Sequence, residues 1–234
     1  MKKYFLLSLL SVFLCWSYAS ADLVTVPGTS NIFGAGHASP PSSPSGSGVL
    51  PPYVTFPATS GLVLTFSSVT GTVSFALDEL NGPDGYTGSG ITVISTGGIS
   101  GLTIAGNMMF FAGVFTNGTE PSDPAPPVLD FNIICINFSD LSPLLNQTFF
   151  IGDGLTGTGT GTVQRFHVPD GATRLYLGFA DNDGYGYPPG AYFDNTGFLT
   201  ASFNIAAVPE PSTMLLLGFG LVGLAGVRRF ERQK

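Results

Sequence analysis

Short apolar segments follow one another from residue 62 to residue 205, divided by turn signals, and no long helical period interrupts them. Leu62, Leu64 and Phe66 alternate, and Val73 and Phe75 continue after Gly71, which predicts a strand broken there by a bulge or turn. Further strands are expected at residues 91–94, 108–115, 128–138, 148–151, 163–168, 175–179 and 199–205. Between them stand Asn81-Gly82-Pro83-Asp84-Gly85, Asn117-Gly118, Asp153-Gly154 and Pro169-Asp170-Gly171. This spacing predicts an all-β chain folded as a single β-sandwich, of jelly-roll type. Abundant Gly, Ser and Thr weigh against helices, while 20 phenylalanines are enough to build a core. Residues 38–52 and 120–127 are rich in Pro and, in the first case, Ser and Gly, and are expected to be flexible loops.

Charge narrows the range of partners. Between residues 22 and 207, 13 carboxylates face only Arg165 and Arg174. Nucleic acid and anionic lipid both reward clustered Lys and Arg, so neither is an expected partner. Divalent cations are compatible with this balance.

Both ends of the chain read as targeting segments. Met1-Lys2-Lys3 precedes a mostly apolar stretch to Tyr18, and Ala19-Ser20-Ala21 forms a cleavage site. Residues 1–21 are therefore expected to be a signal helix removed after Ala21, leaving a domain at 22–207. At the other end, a 14-residue apolar run (214–227) contains Gly218, Gly220, Gly223 and Gly226 and precedes Arg228-Arg229. A spanning helix needs about 17–25 apolar residues, so this short hydrophobic helix is marginal as a permanent anchor. The basic end would stay on the cytoplasmic side. Val208, Pro209, Glu210 and Pro211 stand just outside it. Segment 208–234 resembles the PEP-CTERM sorting signal of exopolysaccharide-producing Gram-negative bacteria. That resemblance implies export across the inner membrane, transient insertion of the tail, and processing by the transpeptidase exosortase. It also implies an end point at the cell surface or in the extracellular matrix.

The densest acidic and amide stretch runs from Asp181-Asn182-Asp183-Gly184 to Asp194-Asn195-Thr196-Gly197. Hard cations such as calcium take six to eight oxygens from carboxylates, amides and main-chain carbonyls on an adaptable loop. Asp181, Asp183, Asp194 and Asn195 supply such oxygens, and a solvated polar turn is the alternative. Arg174 to Asp181, followed by Pro189-Gly190-Ala191-Tyr192-Phe193-Asp194-Asn195-Thr196-Gly197, resembles the C-terminal half of the PA-IL-type galactophilic lectins. The resemblance implies a calcium-dependent β-sandwich in which calcium bridges the loop and two sugar hydroxyls. It casts Asp181, Asp194 and Asn195 as side-chain ligands, with Ala191 and Phe75 offering main-chain carbonyls. Residues 184–188 are an insertion relative to that pattern, which admits Asp183 in place of Asp181. The His–Asp pair that helps hold galactose in that family has no counterpart here. With calcium bound, Tyr185, Tyr187 or Tyr192 could stack on a sugar ring of the exopolysaccharide or a galactose-type glycan.

Two other classes compete with a lectin or a structural matrix protein. Thr156, Thr158, Thr160 and Thr162 would share one face of an extended strand, a spacing that also suits ice binding, although the chain carries no repeats of it. An enzyme is not expected. His37 and His167 read as a loop and a strand histidine, and no nucleophile elbow, phosphate loop or His/Cys metal spacing is present. Cys135, within an apolar stretch, is expected to be a buried inert thiol. The sorting reading is tested directly: replacing Pro209, Glu210 and Pro211 by Ala should leave the tail uncleaved, and unchanged processing on an immunoblot would contradict it.

Overall fold

Strand segments in this chain pair mostly with partners far away in sequence. The computed structural model describes residues 22–75, 80–207 and 218–219. The signal segment with Ala19 and Ala21, the sorting residues Val208, Pro209, Glu210 and Pro211, and nearly all of the hydrophobic tail lie outside the described residues. The chain is all-β, and its strands form several sheets.

The largest is a six-stranded sheet ordered Asp22–Pro27, Thr196–Ala207, Leu62–Ser74, Arg165–His167 and Asp140–Leu141, with Leu80–Asn81 added to Leu62–Ser74. Its backbone is the antiparallel pair of Leu62–Ser74 with Thr196–Ala207, running from Ser74 opposite Thr196 to Leu62 opposite Ala207. The expected interruption at Gly71 does not occur there. The strand is continuous, and Ser67 is the extra residue of a bulge, its hydroxyl donating to the Ser202 carbonyl at 3.0 Å. Gly71 is needed for another reason. At φ +114°, a Cβ would lie 2.4 Å from the Phe198 carbonyl oxygen.

A four-stranded antiparallel sheet, ordered Thr148–Phe150, Phe110–Thr116, Arg174–Ala180 and Tyr53–Thr55, faces the first through phenylalanine rings. Every residue of Phe110–Thr116 is buried, which explains why that run is apolar rather than alternating. Phe66 of the large sheet meets Phe111 at 6.0 Å, Phe166 at 6.0 Å and Phe203 at 5.5 Å. Phe149 meets Phe166 at 5.3 Å across the same gap. A third sheet, Leu129–Asp130, Leu102–Ile104, Ile91–Val93 and Tyr185–Tyr187, carries one end of the acidic loop.

Several expectations change. The strand expected at 128–138 is only Leu129–Asp130, because the Asp130 carboxylate accepts from the Asn132 amide and caps a short helix, Phe131–Ile134. Cys135 ends that helix at φ +64° and is exposed, so it is not a buried thiol. The strand expected at 108–115 breaks at Met109, with φ +52°. The threonine row does not form either. Leu155–Gly157 and Thr160–Val163 are two strands of a hairpin, which places Thr156 and Thr162 across from each other with hydroxyls 3.5 Å apart. Thr156, Thr158, Thr160 and Thr162 therefore do not share one extended strand.

Phe66 touches rings from both facing sheets and is 1% exposed. Truncating a buried phenylalanine costs about 3–5 kcal/mol when the site cannot collapse. Phe66→Ala should therefore lower the denaturant midpoint sharply, with Phe66→Leu intermediate, as read by equilibrium unfolding.

Candidate cation and ligand site

The Arg174–Ala180 strand is buried along nearly its whole length, and it delivers Asp181 into the interior at its end. Asp181 is 1% exposed. One carboxylate oxygen accepts from the Asn182 amide at 2.9 Å, and the other from the Asn195 side chain at 3.0 Å. Asn182 then pins the loop. Its side chain donates to the Thr92 and Tyr187 carbonyls at 3.0 and 3.2 Å and accepts from the Gly184 amide at 3.1 Å.

Tyr192 holds the other limb. Its hydroxyl donates to the Phe179 carbonyl at 2.7 Å and accepts from the Asp181 amide at 3.3 Å, with the ring 2% exposed. A ring so enclosed cannot stack on a sugar. Tyr192 is a brace between the strand end and the loop, and burial holds its hydroxyl pKa well above the ordinary range.

Residues 38–52, expected to be flexible, lie over this loop. The Ser45 hydroxyl donates to Asp183 at 2.6 Å and accepts from the Ala191 amide at 3.1 Å, while the Tyr192 amide donates to the Gly46 carbonyl at 3.3 Å. Gly190 lies close under this strap, where a Cβ would come 2.4 Å from the Ser43 hydroxyl and force that side chain to turn. The signal for such docking was present in the small residues Ser43, Ser45 and Gly46, but nothing in the sequence paired them with residues 183–193.

A cavity of about 390 Å³ opens between these elements. Phe75, Asp181, Asp183, Ala191 and Asp194 all line it, which brings together five of the six residues picked from the sequence as metal ligands. Asn195, the sixth, is buried behind Asp181, and its side-chain oxygen has no hydrogen-bond partner. Ala191 adopts φ +64°, a backbone state that non-glycine residues rarely occupy. Tyr185 and Tyr187 are exposed and do not line the cavity; Phe193 does. Among the described residues no three His, Cys, Asp or Glu side chains converge as a metal cluster. A cation here would therefore draw on the Asn195 amide and main-chain carbonyls as well as carboxylates. Elsewhere, His37 faces Glu120 at 3.4 Å, and Asp140 joins Arg165 and His167 on the exposed surface, at 2.8 and 3.0 Å.

Burial pushes the Asp181 carboxyl up to about 8, against the hydrogen bonds from Asn195 and Asn182, and with added repulsion from Asp194 and Asp183. The folded state therefore holds this proton more tightly than the unfolded chain, where the group titrates near 3.8. Its contribution to stability is complete below the unfolded value and is lost as pH rises towards about 8, by at most about 1.4 kcal/mol per pH unit. Asp84, also raised by burial, acts in the same direction. In EDTA, the melting midpoint should fall from about pH 5 to about pH 8, and Asp181→Asn should flatten much of that slope. A wild-type midpoint that rises across this window would contradict the assignment.

No curated protein matches the chain. Among the described residues no helix is long and apolar enough to cross a membrane. Residues 207–229 match the PEP-CTERM protein-sorting motif, which implies export, C-terminal membrane anchoring before cleavage, and processing by exosortase.

Proposed function

We propose that the exported domain binds calcium in the cavity bordered by Asp181, Asp183 and Asp194 and, through it, a carbohydrate such as an exopolysaccharide or a galactose-type glycan. The observation that carries this reading is the convergence of Phe75 with Asp181, Asp183, Ala191 and Asp194 around one cavity. These residues come from two distant stretches of chain: Asp181, Asp183 and Asp194 offer oxygens by residue type, and the resemblance to a calcium-dependent lectin implies Phe75 and Ala191.

The donor set fits a hard cation. Asp181 is a carboxyl whose charge is disfavoured by burial, and a divalent ion would replace its proton. The Asn195 oxygen is a buried acceptor with nothing to accept from. Asp183 and Asp194 add negative charge at the open side. Calcium held there would leave coordination positions for vicinal hydroxyls, and the chemistry is binding rather than catalysis. A structural matrix protein, in which calcium only stiffens the loop, is the second reading. It is favoured by the Ser45 tie to Asp183, since a cation on Asp183 would also fasten the strap. Either protein would be held at the inner membrane by its tail until exosortase acts, then act at the cell surface or in the matrix.

A ligand that binds only the folded state stabilises it by RT ln(1 + [L]/Kd), about 2.7 kcal/mol at one hundred times Kd. For a domain of this size, that corresponds to a rise of roughly 5–10 °C. The exported protein, stripped with EDTA, should show such a rise with calcium and a much smaller one with magnesium, which prefers a tighter octahedral shell. Asp194→Ala should abolish it. The absence of any calcium shift in the wild-type protein would refute the site, and a glycan array run in calcium and in EDTA separates the two readings.

A further inference from the structure

Phe193 is 75% exposed, more than any other aromatic side chain around the site, yet it lines the same cavity as Asp183 and Asp194. Its backbone is held firmly. The Phe193 amide donates to the Ser45 carbonyl at 3.3 Å, and Gly46 lies so near that a Cβ there would sit 2.4 Å from the Phe193 nitrogen. On the preceding residue, the buried Tyr192 hydroxyl ties the loop to the Phe179 carbonyl. The ring thus stands in water on a loop fixed from above by the serine strap and from below by a tyrosine.

A lone exposed phenylalanine needs no explanation by itself. This one borders a cavity whose lining combines the acidic residues Asp181, Asp183 and Asp194 with the apolar residues Phe75, Ile91 and Met108. An occupant suited to both kinds of lining presents a flat apolar face and a rim of hydroxyls within one small ring. A pyranose does so, since its axial C–H bonds form the face and its equatorial hydroxyls the rim. A peptide aromatic lacks the hydroxyl rim. Tyr192 is enclosed, and Tyr185 and Tyr187 stand outside the cavity lining. We propose that Phe193 is the stacking platform for a pyranose ring whose hydroxyls turn towards Asp183 and Asp194. This assignment rests on the saccharide reading above and names the residue that selects the ring.

The test uses the exported protein in calcium, with the methyl pyranosides of glucose, galactose and mannose as probes and saturation-transfer NMR as the readout. Saturation should concentrate on the C–H protons of one ring face. Phe193→Ala should weaken the bound pyranoside by about tenfold or more while keeping the calcium-dependent melting shift, and Phe193→Trp should retain binding. Wild-type binding that Phe193→Ala leaves unchanged overturns the platform alone. A wild-type protein that keeps its calcium shift but binds none of the three pyranosides overturns the saccharide reading, and the platform with it.

Discussion

The register of one antiparallel strand pair sets the geometry of everything around the site. Ser74 lies opposite Thr196, so Phe75 leaves one strand at the point where Asn195 enters the other. Residues from opposite halves of the chain are thereby delivered to one end of the large sheet, and Phe75 and Asp194 line a common cavity. The pairing is not uniform along its length. Ser67 is the extra residue at a bulge, where Ser68 pairs with Ser202 but Phe66 pairs with Phe203. In a strand with period two, one residue more or fewer turns every side chain beyond it to the other face. The bulge thus lets Phe66 point into the core while the far end of the same strand still presents Phe75 to the loop.

What holds that register is apolar area rather than charge. Phe66, Phe111, Phe149, Phe166, Phe179 and Phe203 are all essentially buried; Phe66 meets Phe111 and Phe149 meets Phe166 across the gap between two sheets, and the other ring contacts run within each sheet. Edge-to-face and tilted arrangements predominate, which suit the ring quadrupole. Only two arginines serve the whole region from residue 22 to residue 207, and one of them, Arg165, is spent on an exposed pair with Asp140. Such a surface pair contributes little. The acidic excess is therefore left to gather where the backbone places it, and three of the 13 carboxylates, Asp181, Asp183 and Asp194, lie in the loop after Ala180.

The sequence made the strands legible wherever a segment is either alternating or continuously apolar between turns. That covers Leu62–Ser74, Phe110–Thr116, Arg174–Ala180 and Thr196–Ala207, which together carry most of the core. It failed where a local polar contact overrides pattern. Asp130 converts an apolar run into a helical turn by capping it, and that turn exposes Cys135 and Ile133. The threonine row failed because Thr158 and Gly159 take the tip of a hairpin, where the Gly159 amide donates to Asp153. In the site, the oxygen donors were legible from residue type, but the aromatic roles were not. Tyr192 and Phe193 are neighbours on one loop, and only the bond from the Tyr192 hydroxyl to the Phe179 carbonyl decides which ring turns inward. No spacing rule carries that information, because the partner is a carbonyl on the preceding strand.

The cost of the site explains why its parts are tied so closely. A buried carboxyl and an amide oxygen without a partner both disfavour the folded state, and the fold accommodates them beside Tyr192 rather than filling the space with apolar side chains. A cation in the cavity would relieve the penalty at Asp181, which lines it. Binding on Asp183 would at the same time fasten the Ser45 strap and, through it, the backbone of Phe193. The Phe193 backbone and the Asp183 carboxylate are therefore tied to the same residue, Ser45.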